Sequence, residues 1–244
     1  MQKQNTLADS FSLEGKGLHT GLNIHITFNP APENHGYKIK RTDLPEQPII
    51  DAVAENVINT QRGTVIGKKD IQISTIEHAM AALYAAGIDN CLIEVDAPEF
   101  PILDGSSRFY TEGINKVGLK KQTANKQYYI VKHKIEVKDE ETGASIMILP
   151  EDNFSVNVLV SYNSPVLTNQ YAVMDDLSQG PSEISASRTF VFVREIEMLI
   201  QNNLIKGGDL DNAIVIYDQK VSQDSLDKLA DMMNQPRKSA EELG

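Results

Sequence analysis

The chain has 244 residues, with 34 acidic and 23 basic side chains and a formal net charge of −11. This acidic balance and the lack of a dense Lys/Arg cluster exclude a nucleic acid or an anionic membrane surface as a partner. No stretch approaches the ~18 apolar residues that span a bilayer, and the N-terminus lacks the apolar segment of a secretion signal. The composition therefore predicts a soluble, cytoplasmic protein without a transmembrane segment, and the single cysteine, Cys91, excludes an intrachain disulfide.

The first third of the sequence alternates polar and apolar residues as strands do. In "LNIHITFNP" the apolar side chains share one face of a predicted strand that Pro30 and Pro32 terminate: Leu22, Ile24, Ile26 and Phe28. Cys91 lies in the apolar strand "CLIEV", which is typical of a buried thiol. This part of the chain is therefore predicted to be mostly sheet.

Two helices are predicted in the first half of the chain. Apolar residues at helical spacing begin after Ser74, and Gly87 is placed to end that helix: Ile76, Met80 and Leu83. Ser106 or Ser107 can cap a second helix, which ends near Gly118. A third amphipathic helix is predicted around residues 194–203, within a second strand-rich stretch.

The polar stretch "KKQTANKQ" has few apolar residues and no periodicity, which is typical of a linker between compact units. We therefore predict a first unit over residues 1–121, a linker over residues 122–127 and a second unit over residues 128–244.

An adjacent pair, Glu77 and His78, begins the first helix and has two interpretations. Ser74 and Glu77 have the spacing of a capping box, in which each side chain accepts from the other residue's backbone amide. His78 is then an ordinary, partly buried histidine. In the alternative, a metal bound by His78 holds a water molecule within reach of the Glu77 carboxylate.

Six strings in one order carry a family resemblance: "GKGLHTG", "STIEHAMAAL", "GIDNCLIEV", "PILDGSS", "SRTF" and "KGGDLDNAIVI". Together they resemble the UDP-3-O-acyl-N-acetylglucosamine deacetylases, the zinc amidohydrolases of lipid A biosynthesis. The resemblance covers nearly the whole chain. It implies hydrolysis of the acetamide of a UDP-linked 3-O-acyl glucosamine, with release of acetate.

The resemblance also implies roles for individual residues. Glu77 matches the general base that acts on a zinc-bound water, and His78 matches a zinc ligand. Thr189 matches the threonine that helps to stabilise the oxyanion. Further matches imply substrate binding: Phe190 against the sugar, Ile196, Gly208 and Ala213 along an apolar passage for the acyl chain, and Asp104 near the active site.

The sequence departs from the family pattern in two places. It has Asp209 where family members commonly have Ser. The family takes its other two zinc ligands from a later His-x-x-x-Asp helix and its general acid from a further histidine, whereas no histidine follows His133 here. We therefore expect the front part of a longer, C-terminally truncated protein, inactive as it stands. The alternative is a non-catalytic module that binds a nucleotide sugar and an acyl chain.

The fold that the resemblance implies is α+β. It consists of two similar units, each a largely antiparallel sheet with packed helices, and the active site lies between them. The second unit is expected to be incomplete.

Overall fold

The computed structural model describes residues 2–68, 70–202, 204–233, 235–239 and 241. Residues 1, 203 and 244, where predicted segments begin or end, lie outside the described residues. We call residues 2–126 the first region and residues 127–241 the second region. Within the described residues the chain is a mixed α+β protein with several sheets and four α-helices, as the fold class predicts.

The first region has ten strands and two helices. Its strands are β1 (Lys3–Leu7), β2 (Phe11–Lys16), β3 (Asn23–Pro30), β4 (Tyr37–Arg41), β5 (Ile49–Asp51), β6 (Val57–Asn59), β7 (Val65–Lys68), β8 (Ile71–Ile73), β9 (Cys91–Val95) and β10 (Leu119–Asn125). Its helices are α1 (Glu77–Ala85) and α2 (Arg108–Val117), and a 3-10 turn lies at Ala54–Asn56.

The described sheets of the second region have two strands each. Its strands are β11 (Ile135–Lys138), β12 (Ser145–Ile148), β13 (Val156–Ser161), β14 (Asn169–Met174), β15 (Phe190–Phe192) and β16 (Ile214–Ile216). Its helices are α3 (Val193–Gln201) and α4 (Gln223–Met232), and a 3-10 turn (Leu177–Gln179) and a π-helical turn (Gly180–Ile184) precede β15.

A five-stranded sheet in the order β2-β3-β9-β4-β5 forms the centre of the first region. All of its neighbours are antiparallel except β4 and β9, which run parallel. The alternation predicted for β3 is confirmed, because Ile24, Ile26 and Phe28 are buried. Leu22 precedes the strand and is 49% exposed, so its predicted place on the buried face is wrong.

The helices α1 and α2 cover this sheet and close one hydrophobic core. Phe28 lies at its centre, with its ring stacked on Phe11 at 4.8 Å and in edge contact with Tyr110 at 5.8 Å. Leu83 of α1 and Ile114 of α2 are buried in the same cluster. Each fully buried side chain of this size contributes about 1.5–3 kcal/mol. The core also encloses Cys91, as predicted.

Both predicted helix ends in the first region are confirmed. Gly87 follows α1 with a φ of 72°, and the Ile88 amide donates to the Leu83 carbonyl at 3.1 Å. Gly118 ends α2 with a φ of 76°. The left-handed conformation at such positions is easy for glycine and closes the last carbonyls of the helix.

Most of the segment predicted as a linker is a strand instead. Residues 119–125 form β10, which pairs with β1 in antiparallel fashion. Its polar side chains are used, since Gln122 accepts from Asn90 at 2.8 Å and donates to the Ala31 carbonyl at 3.0 Å. The strand could not be recognised from alternating polar and apolar residues, because polar side chains hold it through hydrogen bonds. The division into two units stays a prediction.

The second region consists of two antiparallel hairpins, β11–β12 and β13–β14, followed by a parallel pair, β15–β16. The helix α3 overlaps the predicted amphipathic helix and buries Val193, Ile196 and Leu199. The helix α4 was not predicted from the sequence, because its polar composition hides the helical period. Ser222 caps α4 by accepting from the Ser225 amide at 3.2 Å, and Leu226 is buried.

Among the described residues, no helix combines the length and the apolar composition that crossing a membrane requires.

Candidate active site

The chain turns sharply just before α1, and this turn places Glu77 and His78. Ser74 still follows the strand β8, with its amide bonded to the Pro98 carbonyl at 3.0 Å. Thr75 then adopts a left-handed conformation with a φ of 59°. The helix therefore begins at Glu77 after Ile76, and no side chain caps it. The predicted capping box of Ser74 and Glu77 is wrong, because Ser74 is held in a bridge with Glu99.

The Glu77 carboxylate is bound from another direction, by the loop between β6 and β7. The Thr64 amide donates to Oε2 of Glu77 at 3.1 Å. Gly63 lies so close that a β-carbon there would be 3.3 Å from Oε1. One carboxylate oxygen therefore has a fixed donor, and this contact orients the group.

His78 lies in the first turn of α1, and burial lowers the pKa of its imidazole below the ordinary value. The negative charges of Glu77 and Asp104 act in the opposite direction on the same pKa. His78, Glu77 and Asp104 are therefore electrostatic neighbours. The neutral imidazole, which can ligate a metal, is favoured by this environment.

Asp104 lies in the turn before α2 and is held by several partners. Its Oδ1 accepts from the Ser106 hydroxyl at 2.7 Å, and its Oδ2 pairs with Arg108 at 3.1 Å. Ser106 also accepts from the Arg108 amide at 3.1 Å, but the N-cap residue of α2 is Ser107 and it makes no side-chain cap hydrogen bond, so the predicted cap of α2 is wrong. Asp104 therefore stabilises the turn before α2 and acts electrostatically on His78 at the same time.

The turn that carries Asp104 also contacts the second region. The Thr189 amide donates to the Gly105 carbonyl at 2.7 Å, and Arg188 Nε donates to the Asp104 carbonyl at 2.7 Å. Gly105 packs so tightly on the backbone of Asn212 that a β-carbon would lie 2.1 Å from its carbonyl oxygen. Thr189 is thus fixed by a hydrogen bond to Gly105, the residue that follows Asp104 of the cluster of Glu77, His78 and Asp104.

An apolar pocket opens beside Thr189, with a volume of about 100 Å³. All five predicted site residues of the second region line it: Thr189, Phe190, Ile196, Gly208 and Ala213. Phe190 is held by edge contacts to Tyr162 and Phe192 at 5.2 and 5.5 Å. Glu77, His78 and Asp104 are not part of its lining.

Three further residues at this site received no role from the sequence, although two of them, Leu18 and His19, lie in the string "GKGLHTG". Leu18 and His19 line the pocket from the loop between β2 and β3, and the buried Nδ1 of His19 has no hydrogen-bond partner among the described residues. Arg62 lines the pocket and pairs with Glu195 of α3 at 3.2 Å. Only the tertiary structure brings these loops together.

The residues present do not complete a zinc site. A catalytic zinc requires three protein ligands, and the part of the chain that the structure describes holds no group of three His, Cys, Asp or Glu side chains arranged for a metal. His78 is the imidazole of this cluster, with Glu77 and Asp104 near it.

Comparisons with known proteins identify relatives of this chain. The profile of the family described as "UDP-3-O-acyl N-acetylglycosamine deacetylase" matches residues 4–232. A relative from Methylococcus capsulatus, "UDP-3-O-acyl-N-acetylglucosamine deacetylase", is 40% identical over 219 residues, which are 88% of this chain and 71% of that protein.

Two longer relatives are more similar. "Bifunctional enzyme LpxC/FabZ" of Bacteroides thetaiotaomicron is 62% identical and that of Porphyromonas gingivalis is 60% identical, each over 244 residues, which are 100% of this chain. The chain spans 53% of the length of each of these relatives. From the family profile and from these identities, the chain belongs to the UDP-3-O-acyl-N-acetylglucosamine deacetylase family.

Proposed function

We propose that this chain acts in the removal of the acetyl group from UDP-3-O-acyl-N-acetylglucosamine, a step of lipid A biosynthesis in the cytoplasm. The observation that carries the proposal is that a polar cluster and an apolar pocket are connected by a hydrogen bond. The Glu77, His78 and Asp104 cluster is joined through the Gly105–Thr189 hydrogen bond to an apolar pocket. Hydrolysis of an acetamide on an acylated sugar requires both a polar cluster and an apolar cleft.

Glu77 is the proposed general base. The Thr64 amide occupies Oε2 of its carboxylate, which leaves Oε1 to accept a proton from the attacking water. A general base contributes about 10²–10⁴-fold to a rate. The oriented carboxylate fits this role better than the capping role, for which it makes no contact.

Thr189 is the proposed donor to the oxyanion that forms on the acetyl carbonyl. Its backbone amide and carbonyl are fixed by Gly105 and by Ile214 at 2.7 and 2.9 Å. Its hydroxyl has no hydrogen-bond partner within the described residues, so it is available to the substrate. A preorganised donor of this kind contributes about 10²–10³-fold to kcat.

The pocket is the proposed site of the acyl chain. Ile196, Gly208 and Ala213 form its walls, and Phe190 lies beside Thr189, where the sugar would be. Asp104 holds the turn that fixes Thr189. A buried methylene contributes about 0.8 kcal/mol, so affinity should rise with the length of the acyl chain until the pocket is filled.

Zinc, with His78 as one ligand, is part of the proposal, although the described residues do not supply a complete ligand set. The two similar units of the predicted architecture belong to the proposal in the same way. A protein of these 244 residues is expected to lose zinc on dialysis against a mild chelator. Equimolar zinc retained by the monomer would contradict this expectation.

Acetate release from UDP-3-O-acyl-N-acetylglucosamine tests the activity in the full-length protein. Glu77→Gln keeps an acceptor for the Thr64 amide but cannot take a proton, so kcat should fall by about 10²-fold or more with little change in binding. Thr189→Val should lower kcat by about 10²-fold. Glu14→Gln, an exposed change on β2, is the control and should be neutral.

A second candidate function is binding without catalysis, which the incomplete ligand set among the described residues favours. It predicts that the full-length protein binds the acylated nucleotide sugar but releases no acetate. In that case neither the unmodified protein nor Glu77→Gln would release acetate, and the two would bind the substrate equally well. Near-normal activity of Glu77→Gln would likewise contradict the role of Glu77 as a base.

A further inference from the structure

Glu99 is a fully buried carboxylate that lies between two parts of the candidate site. It accepts four hydrogen bonds. Its Oε1 accepts from the His19 amide at 2.8 Å and from the Thr75 hydroxyl at 3.2 Å. Its Oε2 accepts from the Thr20 amide at 2.9 Å and from the Thr20 hydroxyl at 2.7 Å. Burial of a carboxylate is costly unless donors satisfy it in this way, so these bonds are strong constraints on the groups that donate them.

Three of the four hydrogen bonds come from two residues of the pocket loop, which we define as residues 17–21. This loop supplies Leu18 and His19 to the lining of the apolar pocket. It also reaches the opposite wall, because the Gly207 amide donates to the Leu18 carbonyl at 3.0 Å. Glu99 therefore anchors one wall of the pocket from behind, at the amides of His19 and Thr20.

The third residue that donates is Thr75, which determines where α1 begins. A positive φ is uncommon for a β-branched residue and stores strain that the surroundings must hold. The hydrogen bond to Glu99 holds Thr75 in this conformation. Two residues later comes Glu77, so the direction of the Glu77 side chain depends on the turn at Thr75.

We propose that Glu99 is a positioning residue for the deacetylation, which fixes the pocket loop and the start of α1 with one carboxylate. This inference rests on the proposed function, because it takes the pocket as the acyl site and Glu77 as the base. Glu99 itself does not touch the substrate in this proposal. It sets the distance between the acyl chain and the base, because it holds both the pocket loop and the start of α1.

Glu99→Gln is the test variant, since it keeps the shape but replaces an acceptor oxygen by an amide group that can only donate. That amide would face the His19 or Thr20 amide, donor against donor. The matched control is Glu33→Gln. Glu33 also accepts from two backbone amides and a threonine hydroxyl, those of Thr123 and Ala124, at the exposed strand β10.

Amide hydrogen exchange measures directly how firmly the pocket loop and the start of α1 are held. In Glu99→Gln, exchange at His19 and Thr20 should accelerate about tenfold or more, as expected when a hydrogen bond to a charged group is lost. Exchange at Thr64, whose acceptor is Glu77, should accelerate as well. The amides of the β3–β9 pair should change little. A uniform acceleration across the first region would mean a merely structural role and would overturn the proposal, as would unchanged exchange at Thr64.

Binding of cis-parinaric acid, a fluorescent long-chain fatty acid, reports the pocket wall. Glu99→Gln should weaken binding about tenfold, whereas Glu33→Gln should stay within about twofold of the unmodified chain. Unchanged affinity in Glu99→Gln, with faster exchange at His19 and Thr20, would overturn the positioning of the pocket.

Two isosteric variants serve if Glu99→Gln does not fold. Thr20→Val should weaken binding of the fatty acid, and Thr75→Val should accelerate exchange at Thr64 alone. If neither effect occurs, the proposal is wrong. An unmodified chain that binds no fatty acid would contradict the proposed acyl site instead, and the exchange pattern would then still decide the role of Glu99.

Discussion

The two regions of the molecule bury their apolar side chains to very different extents. In the first region, a five-stranded sheet and two helices enclose a single core in which Phe28, Ile93 and Leu83 are fully buried. In the second region, the hairpins β11–β12 and β13–β14 leave their apolar side chains in solvent, with Val137 65% and Leu159 69% exposed. A two-stranded hairpin is marginally stable by itself, because it has no layer to cover its faces. The candidate site joins these two unequal regions.

This contrast teaches that stability depends mainly on the first region, whereas the candidate site needs both regions. The proposed base Glu77 and its neighbour His78 are held by the well-packed first region. The pocket residues Phe190 and Ile196 belong to the second region, which rests on the first through Gly105 and the pocket loop. Changes in the first region should therefore act on global stability, and changes at the contact should act on the pocket.

Cys91 provides the largest expected difference between the regions. Burial raises the pKa of its thiol to about 12, so at pH 8 it is almost wholly protonated as well as inaccessible. Alkylation by iodoacetamide at pH 8 should be about 10³-fold slower in the folded chain than in urea, because it requires opening of the core. Ser145→Cys on β12, in a Cys91→Ala background, should react at close to the denatured rate. A Cys91 that reacts within tenfold of the denatured rate would remove the contrast.

A second test compares equivalent truncations in the two regions. Phe28→Ala removes a fully buried ring with two aromatic partners and should lower the free energy of unfolding by about 3–5 kcal/mol. Leu159→Ala removes an exposed side chain of β13 and should cost less than about 0.5 kcal/mol. Urea unfolding followed by circular dichroism measures both. Equal losses would show that the hairpins are covered in solution.

The contact between the regions can be broken at Gly105. Its φ is 81°, and a β-carbon would meet the Asn212 carbonyl at 2.1 Å, so Gly105→Ala must push Asn212 and Thr189 away. Gly118 has a similar φ of 76° with no atom within 4 Å, so Gly118→Ala isolates the strain of the backbone, about 1–3 kcal/mol at its ψ of −178°. Gly105→Ala should weaken fatty acid binding at least about tenfold, whereas Gly118→Ala should leave it unchanged. Equal binding by both variants would mean that the contact does not shape the pocket.

The smallest expected effect concerns acid and the edge strand β10. Hydrogen bonds from Thr123 and Ala124 hold the pKa of the exposed Glu33 carboxyl below its ordinary value. Because the folded-state pKa is lowered, this contact stabilises the fold above the ordinary pKa near 4.5 and is lost as pH falls below it. Relative to its intrinsic rate, exchange of the Thr123 amide should therefore accelerate as the pH falls through this lowered pKa in the unmodified chain, and it should already be fast at pH 7 in Glu33→Ala, which removes the acceptor oxygen. Slow exchange at pH 7 in that variant would contradict the role of Glu33.

Much of the first region could be predicted from local patterns. Alternation in β3, helical spacing in α1 and the glycines after α1 and α2 depend on neighbouring residues, and all of them are confirmed. The strand β10 and the helix α4 were missed because polar side chains hide their periods. The predicted cap of α1 was wrong because Ser74 pairs with Glu99, 25 residues away in the chain, and a local rule cannot include that bridge.

The sequence by itself determined the family, the mixed α+β class and the identity of the candidate residues, because these depend on which residues occur and in what order. Only the tertiary structure decided which of them meet. It joined Thr189 to the turn of Asp104, gave the Glu77 carboxylate its donor in Thr64 and placed Glu99 behind both the pocket loop and α1. These contacts link residues far apart in the chain, and they form because burial of the shared core brings their loops to one face, where each buried polar group must find a partner.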